Sequence, residues 1–174
     1  DDGDCVGAHG MIEKLHNGHN VYEDPLRVPL ILRLPGRRAA PGGRDDLVEL
    51  VDLYPTFLDL CGVSGPDGIT LPGRSLRAAL ETGAPVGRDA ALSENYIQLT
   101  AIAQDDKLGA WTEAQDGAYP DMYFGRRTDP NETENRHGAP EVAERETALY
   151  EAMRAFVERT PNATDQPLRP LALT

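Results

Sequence analysis

Long apolar runs are missing from this 174-residue chain: no stretch approaches the ~20 residues a membrane-spanning helix needs. Lysine is almost missing as well. Every cationic residue except Lys14 and Lys107 is arginine, a skew given by high-GC coding or by a salt-adapted surface. Two cysteines, Cys5 and Cys61, lie in different elements and form no CxxC pair, so neither a disulfide framework nor a cysteine zinc site is indicated. Positive charge is scarce overall. The formal net charge of −12 argues against nucleic acid or an anionic membrane surface as partner, because those need Lys and Arg to neutralise phosphates. Also absent are GxSxG, a Walker loop, HExxH and a Cys in a nucleophile-like setting, so the chain carries no self-contained catalytic apparatus. No internal repeat or low-complexity segment is present.

What is there begins with hydrophobic content. At 40% hydrophobic residues the chain can bury a real core of one domain or slightly more. Residues 1–20 read as a loop rich in Gly, Asp, Asn and His, and residues 22–26 as one helical turn. The apolar run from Val28 to Leu34, closed by Pro35-Gly36, predicts a strand buried on both faces, as in a parallel sheet covered by helices. Leu47–Val51 predicts a second extended segment. A helix should follow, with Asp52 as its cap, Pro55 in its first turn and Gly62 at its end. Its apolar face is Leu53, Phe57, Leu58 and Leu60, and Ser75 can cap a further short helix through Leu80.

From Ala90 the pattern changes. Short runs at 91–96, 100–103, 107–111 and 122–124, separated by polar turns, predict a small antiparallel sheet. Residues 140–159 carry Val142, Leu149, Met153, Phe156 and Val157 at helical spacing, which predicts an amphipathic helix packed on that sheet. The expected organisation is therefore the end of an α/β domain over 1–88 and a smaller α+β unit over 89–174. Two candidate strands do not make a doubly covered sheet, so the rest of the first sheet is expected from outside these residues.

The chemistry concentrates at the front, in DDGDCVGAHGMIEK. Asp1 and Asp2 are adjacent carboxylates that can both reach one hard cation, Ca²⁺ or Mg²⁺; an acidic stretch that is merely solvated has the same composition. Asp4 is a third carboxylate nearby. His9, His16 and His19 lack a zinc-like spacing and read as hydrogen-bonding loop residues. Lys14, in a Gly/His-rich loop, can meet sulfate or phosphate as a point charge, or stand in solvent. Trp111 and Tyr119 can stack on a sugar or serve in packing.

Five blocks then resemble the C-terminal half of the sulfatases, in the alkaline-phosphatase superfamily. DDGDCVGAHGMIEK is similar to that family's S-D-H-G-D-x-x-G-x-H-G-x-x-x-K, and the segment from Tyr22 to Ile31 to its Y-E-x-x-x-R-V-P-L-I. Val51–Gly62 resembles V-D-L-x-P-T-L-L-D-L-x-G, Leu71–Leu76 resembles L-P-G-x-S-L, and Asp121–Asn135 resembles E-L-Y-D-L-x-x-D-P-x-E-x-x-N. The resemblance implies the C-terminal portion of an alkaline-phosphatase-like α/β sandwich followed by a small α+β subdomain with an antiparallel sheet and a C-terminal helix. It implies hydrolysis of sulfate esters, with Asp1 and Asp2 as ligands of a divalent metal, Ca²⁺ in most of the family, and Lys14 as the catalytic contact to the sulfuryl group. Position 2 departs from the family pattern, which has His or Asn there. The family's formylglycine motif, Cys-x-Pro-x-Arg, is matched by neither Cys5 nor Cys61, so the nucleophile is expected in an N-terminal half not contained in this sequence, and the chain alone is expected to be inactive. The implied partners are a sulfate-ester small molecule or a sulfated glycan and that missing half, with no nucleic acid and no membrane. Two alternatives stay open: a phosphate or phosphonate ester hydrolase of the same superfamily, and a non-catalytic binding module.

Overall fold

The computed structural model describes residues 3–12, 21–37, 42–95, 98–111 and 120–160. They fall into two compact units, one drawn from 1–28 and 92–174, the other from 29–91. The fold is α/β, with a four-stranded sheet and a long C-terminal helix, as the sequence pattern predicts.

In the first unit, strands β1 (Ala91–Glu94), β2 (Gln98–Ile102), β3 (Asp106–Trp111) and β4 (Met122–Gly125) line up in the order β1-β2-β3-β4. The pairs β2–β3 and β3–β4 are antiparallel, with Thr100 opposite Gly109 and Lys107 opposite Phe124. Side chains alternate between faces along a strand. Gln98, Thr100, Lys107, Gly109, Trp111 and Phe124 therefore share one face, and Leu99, Ala101, Leu108, Ala110 and Tyr123 share the other. Both faces are covered, because every residue of β3 is buried.

Helix α4 (Ala143–Arg159), entered through a 3-10 turn at Pro140–Val142, lies against β2 and β3. It buries Leu149, Tyr150 and Met153. Its Arg145 reaches Asp106 at 3.6 Å, which places it on the Leu108 face. The opposite face receives the chain around Val21. A Cβ on Gly109 would stand 2.7 Å from Cγ2 of Val21, so the strand is a glycine where that side chain seats.

The second unit holds α2 (Leu53–Cys61) and α3 (Arg77–Thr82). Pro55 sits in the first turn of α2, and Gly62 ends it in the left-handed conformation (φ 66°), as expected. Asp52 stands at the N-cap position of α2, as expected, but its side chain makes no cap bond to the helix. Its buried carboxylate accepts the N–H groups of Glu49 and Arg74, both at 2.8 Å, and the fork of Arg88 at 2.7 and 2.9 Å. The buried position of α2 is Thr56, while Phe57 of the predicted apolar face is half exposed. The reason is local: the Leu76 N–H is buried and needs an acceptor, and the Thr56 hydroxyl takes it at 2.9 Å while donating to the Asp52 carbonyl at 2.6 Å.

Neither predicted front strand enters a ladder among the described residues. From Arg27 to Leu34 exposure alternates, with Val28, Leu30, Leu32 and Leu34 more covered and Pro29, Ile31 and Arg33 exposed. Apolar composition shows a segment suited to a doubly covered sheet, but a ladder also requires neighbouring strands. Among the described residues these two segments have none.

Candidate functional site

Asp1, Asp2, Lys14, His16 and His19 lie outside the described residues. What the structure does describe is the framework between and around them, from Gly3 to Ile12 and from Val21 onward.

That framework is gripped at two points by one short helix, α1 (Glu23–Leu26), and the residue before it. Gly3 donates its N–H to the Pro25 carbonyl at 3.1 Å, and a Cβ on Gly3 would stand 2.0 Å from the Asp24 carbonyl oxygen. Only a glycine lets the two backbones approach so closely. Farther along, the His9 imidazole stacks on the Tyr22 ring, with centroids 3.8 Å apart and planes 18° apart. His9 reaches this stack from a left-handed backbone (φ 54°); Val6, in the same loop, is also left-handed (φ 44°), which is costly for a β-branched residue. Turn hydrogen bonds from Gly7 to the Met11 carbonyl and from Ala8 to the Cys5 carbonyl, both 2.7 Å, hold that shape.

Asp4 is used locally, its carboxylate accepting the Val6 N–H at 3.0 Å. Cys5 is buried; burial first, then the Asp24 and Asp4 carboxylates, push its thiol above the usual range, so it is no thiolate nucleophile. Trp111 is fully buried with its indole N–H on the Pro120 carbonyl at 2.8 Å, a packing role; Tyr119 lies outside the described residues. Among the described residues no three His, Cys, Asp or Glu side chains are grouped to hold a metal.

A cluster the sequence reading missed stands beneath α1. Lys107, fully buried on β3, forms ion pairs with Glu132 and, at 3.3 Å, with Glu23. Glu132 also accepts the backbone N–H of Glu23 at 2.8 Å. Arg126 reaches the other Glu23 oxygen at 2.9 Å and is itself fixed by donating to the Ala103 carbonyl at 2.7 Å. Burial opposes ionisation of Glu23, but the Arg126 hydrogen bond and the charges of Lys107 and Arg126 outweigh it and hold the carboxyl below its ordinary value. The sequence carried signals for the members separately: lysine is rare, and Glu23 and Glu132 fall on the fixed Glu positions of Y-E-x-x-x-R-V-P-L-I and D-P-x-E-x-x-N. An isolated Lys in a short apolar run does not reveal that two carboxylates, 84 residues before it and 25 after, will meet it.

The block from Asp121 to Asn135 shapes this cluster. Asp129 accepts the Glu134 N–H at 2.8 Å and the Thr133 hydroxyl at 3.1 Å, closing a turn in which Glu132 is held at φ 53°. Asn135 accepts the Tyr123 N–H at 2.9 Å and donates to the Asp121 carbonyl at 3.0 Å, continuing the edge of β4.

The family model for the C-terminal region of N-sulphoglucosamine sulphohydrolase matches residues 7–159. The chain belongs to the sulfatase family. Among curated relatives, this sulfatase region is 30% identical to the choline-sulfatase of Rhizobium meliloti over 141 residues, covering 78% of the chain and 25% of that protein. It is 28% identical to the N-acetylglucosamine-6-O-sulfatase of Bacteroides thetaiotaomicron over 162 residues, covering 88% of the chain and 28% of that protein. Among solved structures it resembles BT4656 in complex with its substrate D-glucosamine-2-N,6-O-disulfate, at 26% identity and a TM-score of 0.70 over 92% of this chain and 33% of that one. The chain thus spans between a quarter and a third of the length of these relatives.

Proposed function

We propose that residues 1–174 form the C-terminal part of a divalent-metal-dependent sulfate-ester hydrolase acting on a small sulfate ester or a sulfated glycan. The observation that carries the reading is the match over 7–159 to a sulfatase C-terminal region, together with the grip of α1 on Gly3, the residue following Asp1-Asp2. The adjacent carboxylates Asp1 and Asp2 are hard oxygen donors whose chemistry fits Ca²⁺. Bound there, the ion would supply Lewis-acid polarisation of the sulfuryl oxygens. Lys14 places a positive charge where negative charge develops in the transition state. Asp2 adds a negative charge where the family pattern usually has His or Asn, which favours tighter retention of the cation and weaker binding of an anionic substrate.

The nucleophile, a formylglycine in this reading, belongs to sequence outside these residues, and the chain alone is inactive. Support for a larger partner surface comes from the second unit, where Ile31, Val51, Tyr54 and Phe57 are exposed at 89, 48, 50 and 53%. The test is sulfate release from an aryl sulfate by the complete protein and by residues 1–174 alone. Activity in the first and none in the second is expected; turnover by the isolated chain overturns the division of labour.

A further inference from the structure

We infer that Lys107, Glu132 and Glu23 are positioning residues for the loop bearing the candidate metal ligands. The inference rests on the sulfatase reading only for what Asp1, Asp2 and Lys14 do. Ionic groups buried as deeply as Lys107 and Glu132 are no efficient way to stabilise a fold, since well-packed apolar residues of similar volume do as well or better. What they provide here is direction. The Glu132 carboxylate does not end on Lys107 alone; it accepts the N–H of Glu23, the first residue of α1, at 2.8 Å. Two residues farther, the Pro25 carbonyl takes the Gly3 N–H, and one residue earlier the Tyr22 ring carries the His9 stack. Tyr22 is seated in turn against Phe124, with ring centroids 5.8 Å apart, on the same sheet face as Lys107.

The network therefore fixes one turn that holds the described loop near both ends. Gly3 follows Asp2 directly, and the loop runs on toward Lys14. A lysine suits the centre of the cluster because its compact ammonium can sit between two carboxylates, whereas a guanidinium is a wide planar fork. Arg126, at the rim, neutralises the remaining Glu23 oxygen.

The test uses the complete enzyme with Glu132→Gln and, as a second variant at a partly exposed position, Glu23→Gln. Val142→Ala, which removes volume from the one buried residue of a 3-10 turn outside the cluster, is the control for general destabilisation. Hydrogen exchange of the peptide covering residues 3–12 should speed about tenfold in the two network variants, and the Ca²⁺ midpoint for aryl-sulfate turnover should rise by about tenfold or more, with kcat falling further than KM rises. Val142→Ala, compared at the same distance below its own melting temperature, should leave all three within about twofold of wild type. Unchanged exchange over 3–12 in both network variants, or equal effects in the control, overturns the positioning role. Absence of any sulfatase activity in the wild type would instead remove the sulfatase reading, and the exchange measurement would still judge the network.

Discussion

Gly3 and Pro25 are joined by a backbone hydrogen bond of 3.1 Å at a point where a Cβ on Gly3 would stand 2.0 Å from the neighbouring Asp24 carbonyl oxygen. The glycine of the D-D-G run is thus a contact residue, chosen for its missing side chain. α1 thus fixes the residue that directly follows the two carboxylates in sequence.

Gly3→Ala follows directly. The new methyl group meets backbone, which cannot rotate away, so the loop or α1 must shift. A loss of about 1–3 kcal/mol in urea unfolding is expected, as for other overpacked sites. In the complete enzyme kcat should fall by about tenfold or more, as when groups that orient metal ligands are lost. Wild-type turnover in Gly3→Ala would show that this contact does not place the acidic pair.

Thr56 makes a sharper comparison in the second unit. Thr56→Val keeps the shape but leaves the Leu76 N–H without its acceptor, at a cost of about 1–3 kcal/mol. Thr56→Ser keeps the hydroxyl and loses one methyl group, about 1 kcal/mol. Urea midpoints should rank wild type, then Ser, then Val.

Arg88 and Asp52 are both buried, and Arg88 also pairs with Glu49 at 3.1 Å. Arg88→Met removes the cation and leaves buried carboxylate charge behind. Unfolding should become easier by about 3–5 kcal/mol, the cost of breaking a buried pair from one side. Thermal or urea melts of the variant and wild type read this directly.

Acid should act through Glu23. Its carboxyl is held below the ordinary value of 4.5 in the folded chain. The stabilisation this represents is fully present above that value and is lost as pH falls through the depressed folded value. The stability difference between wild type and Glu23→Gln should be largest near neutrality and shrink once pH drops below about 4.5. A difference that is constant over the acid range would show that the carboxylate charge is not what the cluster uses.

The second half of the fold was legible because antiparallel strands and an amphipathic helix carry their own periodicity. Short apolar runs separated by polar turns mark the strands, and Val142, Leu149 and Met153 recur at helical spacing. The front half was less legible for a physical reason. Val28–Leu34 has the composition of a covered strand, but composition does not supply neighbours. Asp52 and Thr56 were placed on the right helix, yet their partners Arg74, Arg88 and Leu76 lie 20 to 36 residues away, and such pairings leave no periodic trace. At the candidate site the motif pointed to Asp1, Asp2 and Lys14, which lie outside the described residues. No motif marked Lys107, and the block that contains Glu132 gave it no role, because their pairing exists only once β3 and the Asp129 turn are folded against α1.

In the function proposed, these residues serve sulfate-ester hydrolysis through Asp1, Asp2 and Lys14. The most direct test is Ca²⁺-titrated release of sulfate from 4-nitrophenyl sulfate by the complete enzyme, compared with its Asp1→Ala and Lys14→Ala forms. Saturable activation of the wild type by Ca²⁺, loss of that activation in Asp1→Ala, and a kcat about 10²- to 10³-fold lower in Lys14→Ala are expected. Wild-type rates and an unchanged Ca²⁺ response in both variants would contradict that function.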